Sequence, residues 1–208
     1  MIELASAAVD DEQRHARLCS ELARHYGSRE APGTGAAPAI GPKHAPPEDR
    51  LLYEVVAFCC VTETLNTSLM HVAFLRARVP YVREAIREIL RDEIWHSRLG
   101  WAHLHAARAG GRGAFLAQAL PRMLAGAVQM ELFADAPTHG SDELLEDHGE
   151  LPLLTRREIF ESSARDVLLP GLEALGIDTA PARAWISAAL GRPGASGRVD
   201  PGAHERTE

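Results

Sequence analysis

Asp11-Glu12-Gln13-Arg14-His15-Ala16-Arg17-Leu18 returns later in the chain as Asp92-Glu93-Ile94-Trp95-His96-Ser97-Arg98-Leu99, with Asp, Glu, His, Arg and Leu at the same spacing. Asp and Glu together number 29 and His 10 in 208 residues. At that abundance Asp-Glu-x-x-His is expected about 0.04 times by chance. It occurs twice, a coincidence of roughly one in a thousand. Residues three apart on a helix lie about 60° apart around the axis, so each Glu and His pair points one way and can hold a cation between its donors. Each pair also falls mid-helix on an otherwise apolar stripe, where an unpaired carboxylate is costly to bury. A cation removes that cost.

The segments around the two motifs read as helices. Residues 2–26 form the first, with Ala5, Ala8, Glu12, His15, Cys19, Leu22 and Tyr26 on one stripe and Gly27 as its cap. Residues 28–47 are rich in Gly, Ala and Pro and cannot continue a helix. Helices over 48–78 and 81–109 follow, separated only by Val79 and Pro80, so they must lie antiparallel. Further helices are predicted over 114–135, with Pro121 near its start, over 155–175, opened by a Thr155 and Glu158 capping box, and over 181–190, with Pro181 in its first turn. The acidic run Asp142, Glu143, Glu146, Asp147 and Glu150 reads as a solvated loop, and the tail 192–208 as disordered.

The expected fold is therefore all-α, one domain over 1–191. A connector of twenty residues reaches up to ~66 Å, enough to travel the ~45 Å of a thirty-residue helix. If it does, the first and second helices run parallel, with a long crossover between them. The second helix supplies Glu63 in a stripe of Val56, Cys59, Cys60, Thr67 and Met70. Three carboxylates and two imidazoles then converge at one level.

Residues 2–109 resemble the ferritin-like di-iron carboxylate proteins, whose bundle core carries one Glu on each of two helices and Glu-x-x-His on each of the other two. The resemblance implies Glu12, His15, Glu63, Glu93 and His96 as ligands of two iron ions, or of manganese or a mixed iron and manganese pair. Asp11 through His15 is also similar to the Asp-Glu-x-Arg-His motif of bacterial multicomponent monooxygenases. By that resemblance Asp11 and Asp92 orient His96 and His15, and Arg14 braces the aspartate, whereas Trp95 replaces the arginine in the second copy. A full ligand set needs a further Glu on a helix before the first. Glu3 lies on the opposite face, and Glu131, on a stripe with Leu124, Ala127 and Val128, is the internal candidate. In-frame codons upstream are expected to encode a helix of about 20 to 30 residues carrying the missing acid.

Composition narrows the function classes. Net charge is −7, which disfavours nucleic acid as a partner. No apolar run approaches the ~18 to 20 residues of a membrane span and no basic leader opens the chain, so a soluble, cytoplasmic protein without a membrane partner is expected. The three cysteines, Cys19, Cys59 and Cys60, read as reduced thiols, and without a Cys-x-x-Cys pair redox turnover needs an external electron donor. His103 is expected to be a hydrogen-bonded core residue, and His71 and His105 surface or packing groups. Thr67 is either a hydroxyl in a pocket beside the site or a helix threonine bonded back to its own turn. The function expected is an oxygen- or peroxide-dependent oxidoreductase acting on a small molecule. The alternatives are metal storage without turnover and a helical structural protein with a degenerate, metal-free site. The oligomeric state is not legible.

Overall fold

The computed structural model describes residues 2–29, 40–42, 45–133 and 142–191, and the statements below concern these. Among them every regular element is helical. Helix α1 spans Ile2–His25. Gly27, at φ 87°, ends it: its N–H donates to the Arg24 carbonyl and that of Ser28 to the Ala23 carbonyl, the left-handed cap that glycine adopts without strain. Helix α2 is continuous over Pro47–Arg76. Val79 is extended, and Pro80 begins α3, Pro80–Ala109, where its missing N–H costs nothing. Leu116–Leu132 is α4, Asp142–Asp147 α5, residues 153–174 α6, and Ala180–Leu190, with Pro181 in its first turn, α7.

Four local readings need correction. Within α2, Val56–Thr62 is a π-helix rather than α-helix, and Ala164–Leu168 repeats this inside α6. The capping box is not used: α6 begins at Leu153 behind an extended Pro152, which places Thr155 already inside the first turn, and no side chain caps it. The acidic run is not a loop, since Asp142–Asp147 is a short helix. Its last carbonyl, on Asp147, accepts the N–H groups of Arg78 and Val79 at 3.0 Å each, while Arg76 and Arg78 pair with Glu146 and Asp147. The run thus clamps the α2–α3 turn. Finally, α2 is by length and composition able to cross a bilayer, against the expectation that no run approaches that size. Most of connector 28–47 and the whole tail 192–208 lie outside the described residues.

Cross-helix contacts set the directions. Asp11 meets His96, His15 meets Asp92, and the rings of His25 and Tyr81 lie 5.4 Å apart, so α1 runs antiparallel to α3. Arg83 bonds the Phe74 carbonyl and Gly100 abuts Cys59, so α2 is antiparallel to α3 as well. Hence α1 and α2 are parallel, and the end of α1 and the start of α2 lie toward opposite ends of α3. Helix α2 sits centrally, in contact with α3, α4 and α6; α7 packs on α4. Leu52, Val56, Val61, Leu104, Leu120 and Leu168 are sealed in this core. Helix α1 lies chiefly on α3. Its predicted stripe is covered at His15, partly covered at Ala8 and Leu22, and open at Ala5, Cys19 and Tyr26.

The tightest approach is where α3 crosses the π segment. A Cβ built on Gly100 would lie 2.5 Å from Cys59 Cβ and 2.8 Å from its carbonyl carbon. Glycine inside a helix costs about 1 kcal/mol relative to alanine, but overpacking against backbone costs about 1–3 kcal/mol, so the steric effect wins. Gly100→Ala is expected to lower the urea midpoint, whereas Gly126→Ala, whose Cβ meets nothing within 4 Å, is expected to raise it. Equal effects of the two substitutions would contradict the close crossing.

Candidate metal centre

Glu12 and His15 share one face of α1 through their i, i+3 spacing, and Glu93 and His96 share one face of α3. Antiparallel packing turns the two pairs toward each other, with imidazole centroids 5.8 Å apart. Each carboxylate then divides its oxygens between the imidazoles. His96 Nδ1 lies 3.2 Å from Glu12 Oε1 and 3.0 Å from Glu93 Oε2. His15 Nδ1 lies 3.3 Å from Glu93 Oε1 and 3.8 Å from Glu12 Oε2. Helix α2 adds Glu63: one donor atom from each of Glu12, Glu63, Glu93 and His96 lies within 4.8 Å of the others.

The outer ring nitrogens are held across the helix pair. His15 Nε2 lies 3.2 Å from Asp92 Oδ2, and His96 Nε2 3.3 Å from Asp11 Oδ2. With its proton on Nε2, facing the aspartate, each ring would turn an Nδ1 lone pair inward toward Glu12 and Glu93, the tautomer a metal ligand needs. Arg14 donates to both Asp11, at 2.7 Å, and Asp92, at 2.5 Å. One guanidinium therefore braces both aspartates, and Arg91 adds a contact to Asp92 at 3.3 Å. Trp95, where the second motif lacks its arginine, lies exposed beneath Arg98 and takes no part.

The electrostatics follow from crowding. Burial, a hydrogen bond to Glu93 and the charges of Glu93 and Glu12 push the Glu63 carboxyl up to about 9. Burial also raises Asp92, but bonds from Arg14, His15 and Arg91 outweigh it and hold that carboxyl below its usual range. Burial, with the charges of Glu63, Glu12 and Glu93 behind it, pushes the Cys59 thiol up to about 11, so it stays protonated and is a poor ligand. Two donors are left unpaired. His15 Nδ1 and Glu63 Oε2 are inaccessible to solvent and make no hydrogen bond, although unpaired buried polar atoms are rare. Bound cations would give such atoms the partners they lack.

All five proposed ligands and the three bracing residues are thus brought together. The Glu131 side chain lies outside the described residues, and nothing here brings it to the centre. His103 is half-buried away from the cluster, and burial with Arg112 nearby lowers its pKa; His71 and His105 are exposed. Thr67 is not bonded back to its own turn, unlike Ser68 and Ser20, because its buried hydroxyl has no partner. Sequence reasoning missed Arg91 and the shared role of Arg14, both of which depend on helix register rather than motif. Searches against family models, curated proteins and solved structures find no match to this chain.

The unpartnered hydroxyl generates a test. Thr67→Val keeps the shape and removes an unpaired polar group, so the metal-free protein is expected to gain about 1 kcal/mol in urea unfolding. A loss of stability would mean that the hydroxyl is bonded in the folded state.

Proposed function

We propose that this chain is a non-haem carboxylate protein holding two iron ions, or manganese or a mixed pair, and that it is an oxygen- or peroxide-dependent oxidoreductase with a ferritin-like bundle. The observation that carries the reading is the sharing of oxygens: Glu12 and Glu93 each offer one oxygen toward His96 and the other toward His15. Glu12 and Glu93 would hold two adjacent cations between them, with His15, His96 and Glu63 as this chain's further ligands. Parallel α1 and α2 beside an antiparallel α3 support the bundle topology.

Carboxylate and imidazole donors suit iron and manganese, which when bound supply accessible redox states and open coordination positions. The residues of the chain prepare that site. Asp11 and Asp92 face the outer Nε2 atoms and fix the plane of each ring, and Arg14 bonds and orients both aspartates. Thr67 presents a free hydroxyl four residues after Glu63. Electrons come from an external donor. Metal storage without turnover is favoured by one observation, the 56% exposure of the Glu12 side chain, which opens a route for ion exchange.

Purified protein is expected to carry about two iron or manganese ions per chain by elemental analysis, and Glu12→Ala or His96→Ala to abolish loading. Full metal content in either variant would remove that residue from the centre. Catalytic oxygen or peroxide consumption with a reductant separates turnover from storage, and a well-folded chain that never loads metal leaves the structural reading.

The crossed aspartates make a second prediction. Asp11→Asn and Asp92→Asn are expected to keep the helical content while weakening metal binding about 10- to 100-fold, the usual effect of losing the partner of a ligand imidazole. Unchanged affinity in both variants would show that the rings are oriented by packing alone.

A further inference from the structure

A cavity of about 540 Å³ lies between the π segment of α2 and the middle of α4, on residues other than those of the metal centre. Its walls are apolar, from Ala57, Phe58, Met123 and Ala127, and none of its lining residues is acidic, although the chain as a whole carries net charge −7. Two polar groups stand out. Tyr53 is only 3% exposed, and its hydroxyl, which takes part in no hydrogen bond among the described residues, is not one of the sealed polar atoms. Arg122 is exposed at the rim and joins no ion pair among the described residues, whereas Arg76, Arg78, Arg165 and Arg183 each meet a carboxylate.

From these groups we infer a second ligand site, which binds a single amphipathic carboxylate: an aliphatic body against the apolar wall, its headgroup on Arg122, with the Tyr53 hydroxyl free to donate a hydrogen bond. The volume lies in the range of small-molecule sites, and an apolar pocket with a few placed polar groups is their usual make-up. Charge decides the class. One unpaired guanidinium and no carboxylate in the lining favour an anion over a cation of the same length, and the apolar wall disfavours a small inorganic anion. Gly126 lines the mouth, and a Cβ there meets nothing within 4 Å, so a large side chain could enter it. No residue lining the site is one of the proposed metal ligands.

The probe is decanoate, titrated calorimetrically into the full chain, with decylammonium and inorganic phosphate as comparisons. Saturable binding of one decanoate per chain is expected, with decylammonium and phosphate at least about tenfold weaker. Arg122→Gln is expected to weaken decanoate about tenfold by removing a charge-assisted bond. Gly126→Phe is expected to abolish binding by filling the mouth. Both substitutions are at exposed positions, and far-UV circular dichroism checks that each variant folds. The inference is overturned if decanoate does not saturate, if decylammonium binds equally well, or if neither substitution changes the affinity.

Discussion

Helix α1 is held by a crossed set of hydrogen bonds more than by apolar burial. His15 is the one side chain of α1 that is fully buried among those described, so the contact with α3 rests on Asp11, Arg14 and His15 meeting Asp92, Glu93 and His96. Each aspartate occupies the outer nitrogen of the other helix's imidazole, and Arg14 spans both aspartates. The register is then fixed to the residue: sliding α1 by one position would turn both aspartates off their rings and leave a buried carboxylate unanswered, which costs more than the contact returns. The inward direction of both Nδ1 atoms, and so the whole donor set, depends on that network.

The same network explains what the sequence made legible. A doubled Asp-Glu-x-x-His motif contains both halves of the crossed arrangement, because i, i+3 spacing puts Glu beside His and the adjacent Asp reaches across. Once the two helices are antiparallel, the pairings of Asp11 with His96 and of Asp92 with His15 follow. The helix order was equally readable, since Gly27, Pro80 and Pro181 act through backbone geometry that needs no tertiary partner. What was not readable depends on tertiary contact. Trp95 suggested a missing brace because a motif comparison cannot see that Arg14 reaches both aspartates. Thr155 and Glu158 have capping chemistry, but Pro152 sets the entry angle first. The acidic run became a helix because its terminal carbonyl is used by Arg78 and Val79.

The π segment had a signal of a different kind. Over residues 52–65 of α2 the buried residues come in pairs, Leu52 with Tyr53, Val56 with Ala57, Cys60 with Val61, and Thr64 with Leu65, at a strict spacing of four. On an α-helix each step of four advances the face by about 40°, so three steps turn it by about 120°. A helix packed between α3 and α4 cannot let its buried face wander that far. A turn that takes up more residues brings each pair back beneath the last, and Val56–Thr62 adopts the wider i to i+5 hydrogen bonding that does this. The bulge is thus required by the apolar pattern before any chemistry is considered, and its consequences extend to both sides. Toward α3 it brings Cys59 against Gly100 and sets Glu63 at the level of Glu93; toward α4 it leaves Ala57 and Phe58 lining an unfilled space. A shift of this backbone in response to one side therefore cannot leave the other unchanged.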